Sequence, residues 1–255
     1  MLPLLRRMLT LALPLLAIKS TAARPAKARL EGAWWRDRHV AKLAEIRARP
    51  PRLVFLGDSI TQQWEMSGPP TWRDFTPVWE YYYGDRAALN LGFSGDDCSN
   101  LLWRIEHDEV EGMAPAVAVV LIGTNDLGRM GATATEIFSD IETILDALRQ
   151  RLPTTRMLLL GLLPSARGGA VATMTQAVNR RLATIGGVRF LDVSDALRRD
   201  GVLDPNMFCD PLFDPPEDPL HPSAAGQARM AAAMEPVLAE MLGGILKRDF
   251  GIVPR

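Results

Sequence analysis

Val54-Phe55-Leu56-Gly57-Asp58-Ser59-Ile60-Thr61 is the stretch whose reading decides the fold of this 255-residue chain. The apolar run from Leu53 to Leu56 reads as a buried strand, and Gly57-Asp58 stops it with a turn-forming pair. The residues after Ser59 (Ile60, Gln62, Gln63, Trp64) suit the first turn of a helix. A serine between strand end and helix start carries its hydroxyl at the sheet edge, among free backbone N–H groups and the positive end of a helix dipole. That place suits a nucleophile whose attack creates an oxyanion. Gly-Asp-Ser also serves as a plain turn and helix cap, so the reading depends on its companions.

Working outward, strands alternate with helices. Ala87 to Leu91 reads as a second strand, closing on Gly92-Phe93-Ser94-Gly95-Asp96-Asp97. Ala116 to Ile122 is almost wholly apolar, as a parallel strand covered on both faces should be. It ends at Gly123-Thr124-Asn125-Asp126. Thr133-Ala-Thr-Glu136 is a capping-box signature, and Ile137, Ile141, Ile144, Leu145, Leu148 and Leu152 mark the buried stripe of the helix it opens. Met157 to Leu160 and Val188 to Asp192 supply the last two strands, and a helix runs from Ser223 to about Leu242 with Pro236 inside it. This alternation predicts a three-layer α/β/α domain with five parallel strands in the flavodoxin-like order 2-1-3-4-5. Its ligand site is then at the carboxyl edge of the sheet.

Composition excludes some functions. With 29 basic and 30 acidic residues the net charge is −1, which gives no electrostatic footing for nucleic acid. Arg6-Arg7, the apolar run Met8 to Ile18 and the small residues Ser20 to Ala23 have the makeup of a secretory signal peptide. Cleavage is expected after Ala23, with Ala28 as the second choice and retention as an anchor as the alternative. The expected organisation is a signal peptide over 1–23, a linker over 24–33, the α/β domain over 34–245 and a tail over 246–255. Without residues 1–23, 26 basic residues face 30 acidic ones. No later stretch reads as a membrane span, so a periplasmic or secreted protein is expected. Cys98 and Cys209 would lie in loops at one edge of the sheet, where an oxidising compartment allows a disulfide.

The chain has three histidines, His39, His107 and His221. Of these, only His221 is in a loop that can reach the sheet edge. Asp218 stands three residues before it, a spacing at which a carboxylate within a turn can accept the imidazole N–H and support the imidazolium. The alternative is that His221 caps the final helix. An acyl-transfer site also needs donors aimed at the developing oxyanion. The candidates are the backbone N–H groups of Ser59 and Gly95 and the side-chain amide of Asn125. Trp34 and Trp35 read as core aromatics, with a sugar platform as the alternative. Trp64, Trp72 and Trp79 are expected near the site edge, with Trp64 and Asp96 as candidate substrate contacts.

Gly57-Asp58-Ser59-Ile60, Gly92-Phe-Ser-Gly95-Asp96, Gly123-Thr-Asn125-Asp126 and Asp218-Pro-Leu-His221 together resemble, in order, the four signature blocks of the SGNH (GDSL-type) hydrolases. The resemblance covers roughly residues 34 to 243. It is nearest to the platelet-activating-factor acetylhydrolase catalytic-subunit type and related bacterial acetylesterases. Leu89-Asn90-Leu-Gly92, Leu102-Trp103-Arg104 and Leu160-Gly-Leu-Leu-Pro164 support it. The resemblance implies Ser59 as nucleophile, His221 as base, Asp218 as its orienter, and Ser59, Gly95 and Asn125 as the oxyanion hole. It also implies no metal or organic cofactor. Two departures stand out, Pro219 in the Asp-to-His turn and the Pro- and Asp-rich loop over residues 204–217. The expected activity is hydrolysis of short-chain, chiefly acetyl, esters, with a carbohydrate or other small-molecule ester as partner. A lipid esterase or lysophospholipase, or an idle binding module, is the alternative.

Overall fold

The structure is a computed structural model describing residues 23–70 and 73–247. The expected signal peptide, apart from Ala23, lies outside the described residues, as does Trp72. Helix α1 (Ala33–Ala48) precedes strand β1 (Leu53–Gly57), the short helix α2 (Ser59–Gln62), α3 (Thr76–Tyr83) and β2 (Ala88–Gly92). Then come α4 (Cys98–Glu106), β3 (Val117–Leu121), α5 (Thr124–Met130), α6 (Ala134–Arg151), β4 (Arg156–Leu160), α7 (Gly169–Leu182) and β5 (Arg189–Leu191). A two-stranded ribbon, β6 (Arg198–Arg199) and β7 (Val202–Leu203), leads to a loop and to α8 (Ala224–Leu242). The main sheet has the order β2-β1-β3-β4-β5, parallel throughout, as expected.

Strand residues alternate between two apolar layers, because successive side chains point to opposite faces. Val54, Leu56, Leu91, Ala118, Val120 and Leu159 pack with α1, α4, α6 and α7. Leu53, Phe55, Val117, Val119, Leu158 and Leu160 pack with α3 and α8. The predicted capping box is present: Thr133 Oγ1 accepts from the Glu136 N–H, and Glu136 Oε2 accepts from the Thr133 N–H. Pro236 lies inside α8 without ending it.

Two expectations fail for packing reasons. Trp64 and Trp79 are buried, not at the site rim, because the α3 face of the sheet is closed by an aromatic cluster. Phe55 and Tyr83 rings there are 4.8 Å apart, and Trp64 lies 5.6 Å from Tyr83. Trp64 is therefore a core residue and not a substrate contact. The cysteines are free. Cys98 opens α4 and packs in the α4–α6 layer, whereas Cys209 Sγ lies against the His221 carbonyl at 3.4 Å and the Gln63 amide at 3.7 Å.

Candidate active site

Ser59 is the first residue of α2 and Asp58 its N-cap, with Oδ1 accepting from the Ile60 N–H at 2.9 Å. The tight turn depends on Gly57, where a Cβ would lie 2.2 Å from Thr61 Oγ1 and 2.3 Å from the Leu121 carbonyl oxygen. The Ser59 N–H is among the first amides of the helix, which have no carbonyl partner within it.

The second loop is tied to this turn at several points. Gly92 abuts α2 so closely that a Cβ would come 2.2 Å from the Gln62 nitrogen. Phe93 N–H donates to the Gly57 carbonyl at 3.0 Å, Ser94 N–H to Gln62 Oε1 at 2.6 Å, and Asn90 Nδ2 to the Thr61 carbonyl at 2.7 Å. Gly95 has φ +76°, a left-handed conformation that favours glycine. From the third loop, Asn125 Nδ2 donates to the Asp96 carbonyl at 2.9 Å. An amide NH₂ has two N–H donors, so this bond orients the group and leaves the other donor for an oxyanion. The three candidate donors thus stand on loops hydrogen-bonded to one another.

Asp96 is not a substrate contact. It is fully buried, and its carboxylate accepts from Arg104 Nε at 2.9 Å, Trp35 Nε1 at 2.7 Å and Arg29 Nη1 at 3.0 Å. Arg104 is likewise fully buried. Its guanidinium also donates to the carbonyls of Gly57 and Leu91, both at 3.1 Å, and to Glu109. This one cation therefore fastens the carboxyl ends of β1 and β2 together. Its place was not legible from Leu102-Trp103-Arg104, because a helical arginine reads as a surface residue until its partners are known.

His221 reaches the nucleophile as expected, with Nε2 3.0 Å from Ser59 Oγ. The acid behind it is different. Asp210 Oδ1, not Asp218, lies 2.6 Å from His221 Nδ1, and Asp210 Oδ2 accepts from the N–H groups of Leu220 at 2.8 Å and His221 at 2.6 Å. Asp218 is exposed. Backbone pairing explains the correction. Phe208 and Pro222 form an antiparallel bridge and Cys209 N–H donates to the His221 carbonyl at 2.9 Å, which sets residue 210 beside residue 221. A sequence signal existed: Met207, Phe208 and Cys209 form an apolar flank that buries Asp210, while Asp218 follows Pro215-Pro-Glu217. Burial alone would raise the Asp210 carboxyl, but the bonds from the His221 ring and from the Leu220 and His221 amides hold it below its ordinary range. It is thus an ionised acceptor that fixes the imidazole tautomer with Nε2 turned to Ser59.

The other histidines are elsewhere. His39 stacks on Trp35 at 5.7 Å and His107 on Trp103 at 4.0 Å. Asp58 Oδ2 is buried without a hydrogen-bond partner, and burial pushes the Asp58 carboxyl up to about 7 against the Ile60 N–H bond and the nearby His221.

The sheet order and the residues gathered at its carboxyl edge define an α/β ester hydrolase. The chain belongs to the GDSL-like Lipase/Acylhydrolase family, whose profile matches residues 55–229. Over 214 residues it is 26% identical to platelet-activating factor acetylhydrolase IB subunit alpha2 of Rattus norvegicus, covering 82% of this chain and 85% of that protein. Identity to the alpha1 subunit of Pongo abelii is 29% over 214 residues, with 82% and 84% covered. Among solved structures, a GDSL-like lipase from Bacteroides thetaiotaomicron superposes with a TM-score of 0.59 at 18% identity, covering 80% of this chain and 97% of that one. A carbohydrate acetylesterase family member from Sinorhizobium meliloti gives 0.55 at 19% identity, with 75% and 98% covered.

Proposed function

We propose that this ester hydrolase removes short acyl groups, chiefly acetyl, through an acyl-serine intermediate on Ser59. The observation carrying the mechanism is the continuous hydrogen-bonded chain Ser59–His221–Asp210. His221 Nε2 takes the Ser59 proton as Oγ attacks the ester carbonyl, and Asp210 supports the imidazolium. The N–H groups of Ser59 and Gly95 and the Asn125 amide receive the oxyanion. The imidazolium then protonates the departing alcohol, and water, deprotonated by the same ring, cleaves the acyl-serine to release the acid. No step requires a group from outside the chain apart from water.

The acetyl preference is supported by the names of the relatives, which are acetylhydrolases, and by the carbohydrate acetylesterase fold match. A carbohydrate as the alcohol half has weaker support, since Trp64 and Trp79 line the core and offer no sugar platform. One observation favours a lipid ester instead. Leu212 is 57% exposed and the Phe213 ring lies 6.5 Å from the His221 imidazole, an apolar margin beside the base. A series of p-nitrophenyl esters from two to twelve carbons decides between them. The acetyl reading expects kcat/KM to fall steadily from acetate onward, and a maximum at eight carbons or more would replace it with the lipid reading.

A further inference from the structure

On the far side of Asn125, two buried carboxylates share one side-chain cation among the described residues. Asp126 and Asp140 are 0% and 4% exposed, and a single guanidinium, that of Arg24, serves both. Its Nε donates to Asp140 Oδ2 at 2.7 Å and its Nη2 also pairs with Asp126. Cys98 Sγ with these two carboxylates has the spacing of a metal site, but the Arg24 guanidinium already stands between the acids. The backbone nitrogen of Arg24 points to the same place, donating to Asp140 Oδ1 at 2.7 Å. Residue 24 immediately follows Ala23, the expected end of the signal peptide.

We infer that hydrolysis of the Ala23–Arg24 bond by a signal peptidase makes the Arg24 α-amino group the second cation of this site, an N-terminal ion pair with Asp140 that locks the mature enzyme. Water adds across the amide, leaving a carboxylate on Ala23 and an ammonium on Arg24. A neutral N–H at 2.7 Å from a carboxylate then becomes a charged one, which roughly doubles the strength of such a bond. Two buried negative charges are matched by two positive ones.

The pairing bears on the proposed oxyanion hole through short connections. Asp126 follows Asn125 directly and accepts from the Cys98 N–H at 3.1 Å at the start of α4. The segment behind Arg24 continues along the first turn of α4 and the loop before it: Lys27 N–H donates to the Ser99 carbonyl, Asn100 Nδ2 to the Lys27 carbonyl, and Arg29 Nη1 to the Ser94 carbonyl at 2.9 Å. Residues 24–29, expected to be a linker, thus strap the loop that presents Gly95. Cleavage after Ala28 would remove Arg24 and Lys27 and leave Asp126 and Asp140 buried without a cation, so Ala23 is the processing site. The inference rests on the secretion reading and is independent of the ester substrate.

Two measurements test it. Mass spectrometry of the protein exported from a bacterial host should find Arg24 as the N-terminal residue; a terminus at Arg29, or an intact leader on the exported active enzyme, overturns the proposal. A chain released from a fusion partner to begin at Arg24 is then compared with the same chain N-acetylated and with one carrying a Gly-Ser extension. The free terminus should melt about 3 to 12 °C higher than either, in line with one charged hydrogen bond in a domain of this size. That gap should vanish when all three carry Asp140→Asn. Equal melting of the three chains that keep Asp140, or a gap that persists in Asp140→Asn, overturns the ion pair.

Discussion

Asp210 Oδ1 stands 2.6 Å from His221 Nδ1, although the two are eleven positions apart in sequence and Asp218 is far nearer along the chain. The bridge between Phe208 and Pro222 produces this pairing, so the acid is chosen by a local backbone ladder. Asp210→Asn should therefore lower kcat by about 10²- to 10⁴-fold, the scale seen when a triad acid loses its charge. Asp218→Asn should stay within about twofold of wild type. Steady-state kinetics on p-nitrophenyl acetate distinguish them, and the reverse ranking would reinstate Asp218.

Asn125 is oriented by its bond to the Asp96 carbonyl, and in the proposed mechanism its second N–H serves the oxyanion. Asn125→Ala should reduce kcat by about 10²- to 10³-fold with little change in KM, since the lost interaction belongs to the transition state. A rise in KM at unchanged kcat would point to ground-state binding instead.

Arg104 holds two buried carboxylates and two carbonyls at the ends of β1 and β2. Arg104→Met takes the guanidinium from both carboxylates, leaving Asp96 to Arg29 and Trp35 and Glu109 buried beside His39, at a cost of about 3 to 5 kcal/mol. The expected fall in melting temperature is about 6 to 20 °C, read by calorimetry. A stable variant would mean that the carboxylates find other partners.

Asp58 gives a pH dependence whose sign can be worked out. Its carboxyl is pushed up to about 7 by burial, whereas in the unfolded chain it titrates near 3.9. Between those values the folded protein keeps a proton that the unfolded chain has released, so this group makes stability fall as pH rises toward 7. Asp58→Asn keeps an oxygen for the Ile60 N–H and removes that penalty. The variant should melt above wild type at pH 8 and close to it at pH 4.5. An equal difference at both values would show that the carboxyl does not titrate there.

Much of this architecture was legible because it rests on local patterns. Continuous apolar runs such as Val117 to Leu121 read as strands covered on both faces, and their alternation with helices pointed to the doubly wound order; Thr133 and Glu136 announced the start of α6. Ser59, Gly95, Asn125 and His221 were legible because each follows a strand end or sits in the last loop. What escaped was long-range. Trp64 and Trp79 looked like rim aromatics because nothing local says that Phe55 and Tyr83 close over them. The roles of Asp96, Arg104 and Arg24 depend on partners that only folding supplies, and the Asp210–His221 pairing depends on a bridge across a proline-rich loop. The separation of Cys98 from Cys209 depends on which side of the sheet each loop turns to.

The central claim, that the Ser59 hydroxyl is the nucleophile, is tested most directly by a fluorophosphonate, which should phosphonylate one side chain. Peptide mass mapping should place one adduct on Ser59, in step with loss of p-nitrophenyl acetate hydrolysis, and Ser59→Ala should take no label and hydrolyse nothing above background. Full activity in a protein quantitatively labelled at Ser59, or wild-type turnover by the alanine variant, would contradict the account.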